Sequence, residues 1–398
     1  MKSELLVENI QGDSPKASAG AIQGKPATVA GRLRAATEDG SIFQQLTRME
    51  NLYQCWIKTR KNKSQRFRIQ KFSEDPLRYL TMIQQRLRAR TFEFGPYKYF
   101  KVREKKMRDV VDAPMKDRIV HWMLYDYLLP IWQPRFIHDT YGNLPGRGTH
   151  IAVRRLSGFC RKPENTWALQ LDISKYFYSV HHDLLKARVM RYVGDFDIRR
   201  VLNNLIDSYR TDGRFDELFA EDSPYRRTLY KGMPIGNLSS QLFANLFLCD
   251  FDHWVKEVLG VRHYIRYVDD IVIVGRSIEE MRFYRDKIVE KLNVDGLCVH
   301  PFKTRLAPVT TGIPFLGYVV WPNHVSAGRH MLNRYHRSLR IHEAETQDRT
   351  DSLRSYRAML SHTGVLEGQR TQAALLSFRE ITACRLLSCS KDLALTFH

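Results

Sequence analysis

Asp269 and Asp270 stand side by side in the stretch HYIRYVDDIVIVGR, residues 263–276. Ile265 and Val268 precede them, and Ile271, Val272, Ile273 and Val274 follow. β-Branched runs of this kind predict two strands with the aspartates at the joint. Two neighbouring anions repel each other and lose hydration unless a cation compensates them. Taken alone, the pair reads either as a polar hairpin turn or as a metal site. A third carboxylate in a matching setting bears on that choice. Asp172 ends the apolar stretch WALQLD (167–172) and precedes the aromatic pair Tyr176 and Phe177. A strand-end aspartate together with a hairpin pair is what two-metal phosphoryl transfer requires. Hard divalent cations take oxygen ligands, and two ions about 3.5–4 Å apart stabilise the attacking and leaving oxygens. Many proteins hold three such aspartates, so spacing alone leaves the chemistry open.

These residues need an antiparallel sheet to bring them together. Residues 97–114 (YKYFKVREKKMRDVVDAP) alternate about a charged turn at 103–108 and predict a further hairpin. Helices are expected over 43–95, 115–132, DLLKARVMRYV, DIRRVLNNLIDSY, 239–259 and SIEEMRFYRDKIVEKLNVDG. Short strands should run through IPFLGYVVWP (313–322), and the chain from 326 onward reads as helical and rich in arginine. The order is mixed α+β. Residues 1–40 are rich in Ala, Gly, Ser and Pro, with no aromatic before Phe43, and read as a flexible tail or partner arm. His181, His182 and Asp183 look like a ligand cluster, but their place at a helix start predicts capping.

The 398 residues, 43% of them hydrophobic, suit two or three packed subdomains. The formal net charge of +20 favours a polyanionic partner, because neutralising phosphates releases counterions. No apolar run approaches the ~18 residues of a membrane span, and no signal peptide stands out. The six cysteines show no paired or zinc-type spacing and read as thiols in a reducing cytoplasm.

LQLDISKYFYSV, KGMPIGNLSSQLFANLFL and RYVDDIVIVG occur in that order and resemble three palm motifs of reverse transcriptases. KKMRDVVDAPMKDRIVHWML is similar to the fingers segment of bacterial members, and YGNLPGRGTHIAV to the Gly-Arg loop of group II intron and retron enzymes. GLCVHPFKTRLAPV resembles the motif with a lysine after the catalytic hairpin, and FLGYVVW the primer grip. The resemblance covers roughly residues 50–322 and implies a right-hand fold. Its parts would be a tail at 1–42, fingers at 43–165, a palm with antiparallel sheet at 166–322 and a helical thumb at 323–398. Where many relatives carry Gln-Gly and Ser-Pro, this loop reads PIGNLSSQ, with Ile235 and Gln241 at the substituted places. That form resembles the reverse transcriptases of diversity-generating retroelements, which make adenine-directed errors. A bacterial antiphage-defence reverse transcriptase is the alternative.

The resemblance implies roles residue by residue. Asp172, Asp269 and Asp270, with the Ile173 carbonyl, would hold two Mg²⁺, with Mn²⁺ a possible substitute. Phe177 would be the steric gate against a ribose 2′-OH. Ile235, Gly236 and Gln241 would line the dNTP pocket, and Ile235 would loosen base discrimination. Arg108 and Lys101 would contact the triphosphate. Lys303 would protonate pyrophosphate or contact nucleic acid. The thumb arginines would meet the primer–template backbone. Implied partners are a template RNA (a structured non-coding RNA), a DNA or RNA primer, dNTPs and a small basic accessory protein, with no membrane. No ribonuclease H or endonuclease domain is expected. A nucleotide cyclase and a catalytically silent RNA-binding protein are the rivals from other classes. The basic charge and primer grip argue against the first, and the complete aspartate set against the second. Phe177 argues for dNTPs over an RNA-dependent RNA polymerase.

Overall fold

The computed structural model describes residues 41–103, 107–211, 230–344 and 349–363, with only the backbone of 103, 107 and 108. The predicted tail up to residue 40, the thumb beyond residue 363, and Cys384 and Cys389 lie outside the described residues. Four helices lead in: α1 (Ile42–Leu46), α2 (Met49–Arg60), α3 (Phe67–Glu74) and α4 (Pro76–Arg88). The Asp75 side chain accepts the Arg78 amide to start α4, and Pro76 sits in the first turn, where its missing N–H costs nothing. The hairpin follows as β1 (Lys98–Arg103) and β2 (Met107–Asp112), antiparallel with Lys101 opposite Asp109. Next come α5 (Met115–Trp132), β3 (Thr140–Tyr141), α6 (Thr149–Cys160) and β4 (Trp167–Asp172). The short α7 (Tyr176–Ser179) leads to α8 (His182–Met190) and α9 (Phe196–Asp207).

The helix expected over 239–259 is interrupted. It forms α10 (Leu238–Phe247), α11 (Cys249–His253) and a π-helical turn at Trp254–Val258. One straight helix presents a single apolar stripe. The break at Leu248 lets Leu246, Phe247, Leu248, Cys249 and Phe251 all be buried. The remaining elements are β5 (His263–Tyr267), β6 (Asp270–Gly275), α12 (Ile278–Val294), β7 (Arg305–Pro308), β8 (Ile313–Phe315), β9 (Tyr318–Val320), β10 (Val325–Ala327), α13 (Arg329–Glu343) and α14 (Thr350–Leu360).

A five-stranded sheet runs in the order β3-β5-β6-β4-β7, with only β3–β5 parallel. Alternation sorts its side chains. Leu169, Leu171, Tyr264, Ile271 and Ile273 join the larger core, with residues of α5, α8, α9, α10 and α12. Ala168, Ile265, Val272 and Val274 join a second core with α6, the β8–β10 sheet, α13 and α14. The central β6 is buried on both faces, which explains its unbroken Ile-Val run. The expected capping at 181–183 gives way to a tertiary contact. His181 makes no side-chain cap bond, and the buried His182 sets Nε2 2.8 Å from the Gly232 carbonyl, tying α8 to the 230–233 segment, where His181 and Lys231 also form an isolated bridge. The thiols of Cys55, Cys160 and Cys249 are free and buried, and that of Cys298 is half-buried. Among the described residues no helix is long and apolar enough to cross a membrane.

One buried histidine makes the packing of α5 on α10 sensitive to pH. His121 Nδ1 lies 2.6 Å from Ser239 Oγ, while Nε2 has no hydrogen-bond partner among the described residues. Burial, aided by Arg118, pushes its pKa down to about 3. A depressed histidine pKa means that stability is full above the ordinary value near 6.5 and is lost as pH falls towards 3. Going from about pH 7.5 to about pH 5 should cost about 2 kcal/mol of unfolding free energy through this residue. Urea unfolding of wild type and His121→Gln at both pH values checks this; an equal pH response in the two proteins would refute it.

Candidate active site

The register of the sheet brings the three aspartates to one end of it. Asp172, last in β4, lies directly opposite Asp270, first in β6, and Asp269 occupies the turn before it. The Ile173 amide donates to the Asp269 carbonyl at 3.2 Å, and the His300 amide to the Asp172 carbonyl at 2.8 Å. The segment after α12 thereby folds back onto the end of β4. It delivers Lys303, whose ammonium forms an ion pair with the Asp172 carboxylate. Among the described residues no three His, Cys, Asp or Glu side chains converge into a ready metal cluster. The donor chemistry nevertheless fits a hard divalent cation, since the strand ends offer carboxylate and carbonyl oxygens only.

The turn carrying Asp269 and Asp270 is held from beneath by a network that the sequence does not announce. Val268, a β-branched residue, adopts φ +57°, a conformation uncommon outside glycine and asparagine. Its amide donates to the Tyr141 carbonyl at 3.2 Å, and its carbonyl accepts from Arg266 Nη1 at 2.8 Å. Arg266 and Asp252 form an ion pair with both side chains fully buried. Asp252 also accepts from Tyr264 Oη and Thr140 Oγ1, each at 2.6 Å, and from Arg266 Nε at 2.7 Å. Asn245 accepts from Arg266 Nη1 at 3.2 Å and donates to the Gly142 carbonyl at 2.6 Å. Burial alone would lower the Arg266 pKa, but Asp252 outweighs it and holds the guanidinium charged. Gly142, at φ +91°, permits this closeness: a Cβ there would stand 2.7 Å from Val268 Cγ2.

The other sequence-predicted residues fall into two groups. Phe177 is half-buried on α7, just after Lys175 at φ +48°, and its carbonyl accepts the Met233 amide at 2.6 Å. Ile235 is half-buried, and its carbonyl accepts the Val111 amide of β2 at 2.9 Å. Gly236, at φ +112°, lies so close to β2 that a Cβ would stand 3.0 Å from the Val111 carbonyl. Gly236 and Gln241 line a recess of about 210 Å³ with His121, Lys63 and Arg118. Burial first, then Arg118 and Arg66, holds the Lys63 pKa below its ordinary value. Neither cation was singled out from sequence, since basic residues abound in this segment. Lys101 is exposed on β1, and the Arg108 side chain lies outside the described residues.

Acidic residues at one end of a mainly antiparallel sheet, with helices packed on both faces and a hairpin bearing on the adjoining loop, define a right-hand polymerase fold. The sequence pattern of the family described as reverse transcriptase (RNA-dependent DNA polymerase) matches residues 96–320, and the chain belongs to that family. Its members generally use divalent metal ions. The chain is similar to Protein YkfC of Escherichia coli (strain K12), 26% identical over 257 residues, covering 54% of this chain and 63% of that protein. It is also similar to the uncharacterized 91 kDa protein in cob intron of Schizosaccharomyces pombe, 25% identical over 44% of this chain and 20% of that protein. A third relative is the group II intron-encoded protein LtrA of Lactococcus lactis subsp. cremoris, 26% identical over 40% of this chain and 24% of that protein. The chain thus spans less than two thirds of the length of each of these curated relatives. Apo telomerase from Candida Tropicalis, truncated from its C-terminal domain, aligns with a TM-score of 0.43 at 10% identity over 58% of this chain and 54% of that one.

The buried pair and the exposed pair should respond differently to charge removal. Asp252→Asn strands the Arg266 charge and should cost about 3–5 kcal/mol of stability. Asp172→Asn breaks a half-exposed pair with Lys303 and should change stability by less than about 1 kcal/mol. Chemical denaturation of both variants measures the contrast; comparable losses would show that the network does not carry the hairpin.

Proposed function

We propose that the chain is an RNA-directed DNA polymerase that adds dNTPs to a primer 3′-OH on an RNA template and releases pyrophosphate. The observation that carries this reading is the pairing of Asp172 with Asp270 beside Asp269, in a chain of the reverse transcriptase family. In this reading residues 43–165 form the fingers, 166–322 the palm and 323–398 the thumb. Residues 140–160, counted with the fingers, still send β3 into the five-stranded sheet and α6 against its second core. Asp172, Asp269, Asp270 and the Ile173 carbonyl would hold two Mg²⁺, with Mn²⁺ a possible substitute; these ions supply Lewis-acid stabilisation of the attacking and leaving oxygens when bound. Lys303, paired with the Asp172 carboxylate, would give a proton to departing pyrophosphate or contact nucleic acid. Phe177 closes the sugar side of the pocket. Gly236 would let the nucleotide approach the backbone, Gln241 lines the same recess, and the resemblance gives Lys101 and Arg108 the triphosphate contacts. Lys63 and Arg118 line the recess beside Gly236, Arg118 in an ion pair with Asp112. The partners would be a primer and a structured template RNA, drawn by the net charge of +20, with a small basic accessory protein besides.

The PIGNLSSQ loop supports a finer reading, error-prone cDNA synthesis in a diversity-generating retroelement. Ile235 presents an apolar side chain at the edge of that loop and cannot hydrogen-bond a base or sugar. An antiphage-defence role is the alternative, and a silent RNA-binding protein the remote one.

Two measurements test the reading. Asp269→Asn and Asp270→Asn should abolish primer extension in Mg²⁺ while RNA affinity stays within about twofold, because cations elsewhere hold the phosphates. Normal extension by folded Asp269→Asn protein would sink the metal assignment. Phe177→Ala should raise rNTP over dNTP incorporation in single-nucleotide extension by opening room for a 2′-OH. An unchanged ratio would return Phe177 to the core.

A further inference from the structure

A second cavity, of about 630 Å³, lies between α6, the β9–β10 turn and the end of α14. None of the proposed metal- or nucleotide-binding residues lines it. Four polar residues of one helix face do: His150, Arg154, Ser157 and Arg161. Their spacing of four, three and four residues sets them in one row, while Ala152, Val153, Leu156 and Phe159 of the same helix enter the second core. His324 and His362 complete the polar wall, with the His362 ring 3.7 Å from that of His150.

The charges here are not consumed by the fold. Arg155, next in sequence, is neutralised by Asp139 at 2.7 Å, but Arg154 and Arg161 have no ion-pair partner among the described residues. No Asp or Glu lines the cavity among those residues. The Ser157 hydroxyl gives a second, independent sign. The residue is 4% exposed, and its Oγ has no hydrogen-bond partner among the described residues. A buried hydroxyl without a partner is costly and calls for an explanation.

We propose that this cavity is a phosphate-binding site, separate from the polymerase centre, in which Arg154 and Arg161 neutralise the anion and Ser157 donates its hydroxyl hydrogen. Guanidinium forks suit phosphate oxygens, and a buried donor adds direction to their charge. The volume falls in the range of small-molecule pockets, large enough for a nucleotide and not only for its phosphate. The phosphate belongs either to an RNA strand held away from the active site or to a free nucleoside phosphate. The site stands whether or not the chain polymerises, so its test needs no catalysis.

The test uses the full chain in EDTA, which suppresses metal-dependent nucleotide binding at the aspartates. Labelled single-stranded RNA is titrated by fluorescence anisotropy at several salt concentrations, and ADP protection is read from the melting temperature. The proteins are wild type, R154Q/R161Q and S157A. Two lost phosphate contacts should lower the slope of log affinity against log salt by about 1.4. S157A leaves the net charge unchanged and removes a hydroxyl that the free fold does not satisfy. It should keep the melting temperature of the free protein yet weaken RNA about three- to tenfold, a loss that long-range electrostatics cannot produce. That result places an RNA phosphodiester in the cavity. Unchanged RNA binding with loss of ADP protection in both variants places a free nucleotide there. A lower salt slope with S157A indistinguishable from wild type would mean diffuse charge without a built site and would overturn the proposal, as would no change in either ligand.

Discussion

The carboxylate of Asp252 and the guanidinium of Arg266 meet wholly out of water, and the geometry of the hairpin that carries Asp269 and Asp270 hangs on their meeting. A buried ion pair is a poor source of stability, because stripping water from two charges costs several kcal/mol per ion. It persists where each remaining donor and acceptor finds a partner, and here Tyr264, Thr140, Asn245 and the Val268 carbonyl provide them. What the pair contributes is direction. Arg266 is anchored at one end by Asp252 and at the other grips the carbonyl of Val268, one residue before the acidic turn. A valine at positive φ costs roughly 1–3 kcal/mol, and it keeps that conformation because Arg266, Tyr141 and the absent side chain of Gly142 leave it nowhere else to go.

The sheet above this network works as a partition. Because β6 is buried on both faces, its apolar run divides two cores that would otherwise be one. The half-buried aspartates stand at the end of the sheet where β4 finishes and β6 begins. Asp172 shares the parity of Ala168 and Gln170, so the backbone that buries Ala168 also aims the carboxylate away from the larger core.

Cations in this chain fall into two populations. Arg266, Arg155 and Arg188 are each committed to an aspartate and serve the fold. Others stand where the fold has no use for them. The helix α13 buries only Met331, Tyr335 and Leu339 and turns most of its arginines outward. Arg154 and Arg161 do the same along α6. Lys303 lies between the groups: it neutralises Asp172 yet remains 44% exposed, so its partner can change at little cost.

How much of this was legible in the sequence depends on the range over which each signal acts. The apolar run of WALQLD and the double apolar run of 263–274 are local, and they determined β4, β5, β6 and the place of Asp172 and Asp270 at strand ends with Asp269 in the turn. The loop 233–241 was marked as a nucleotide pocket only by its resemblance to reverse transcriptases; what the structure adds is the close approach of Gly236 to β2. The helix across 239–259 was misjudged, since an all-apolar face hides where a helix must rotate to bury every side. Tertiary structure alone decided that Asp252 is the partner of Arg266, that Thr140 and Asn245 complete the shell, and that His182 ties down Gly232 instead of capping a helix. Asp252 and Thr140 are separated by 112 residues. A charged side chain looks the same in a string of letters whether it will face water or another charge; only the surrounding residues, brought near by the packing of distant elements, set the dielectric that makes one arginine a phosphate ligand and another the anchor of a hairpin.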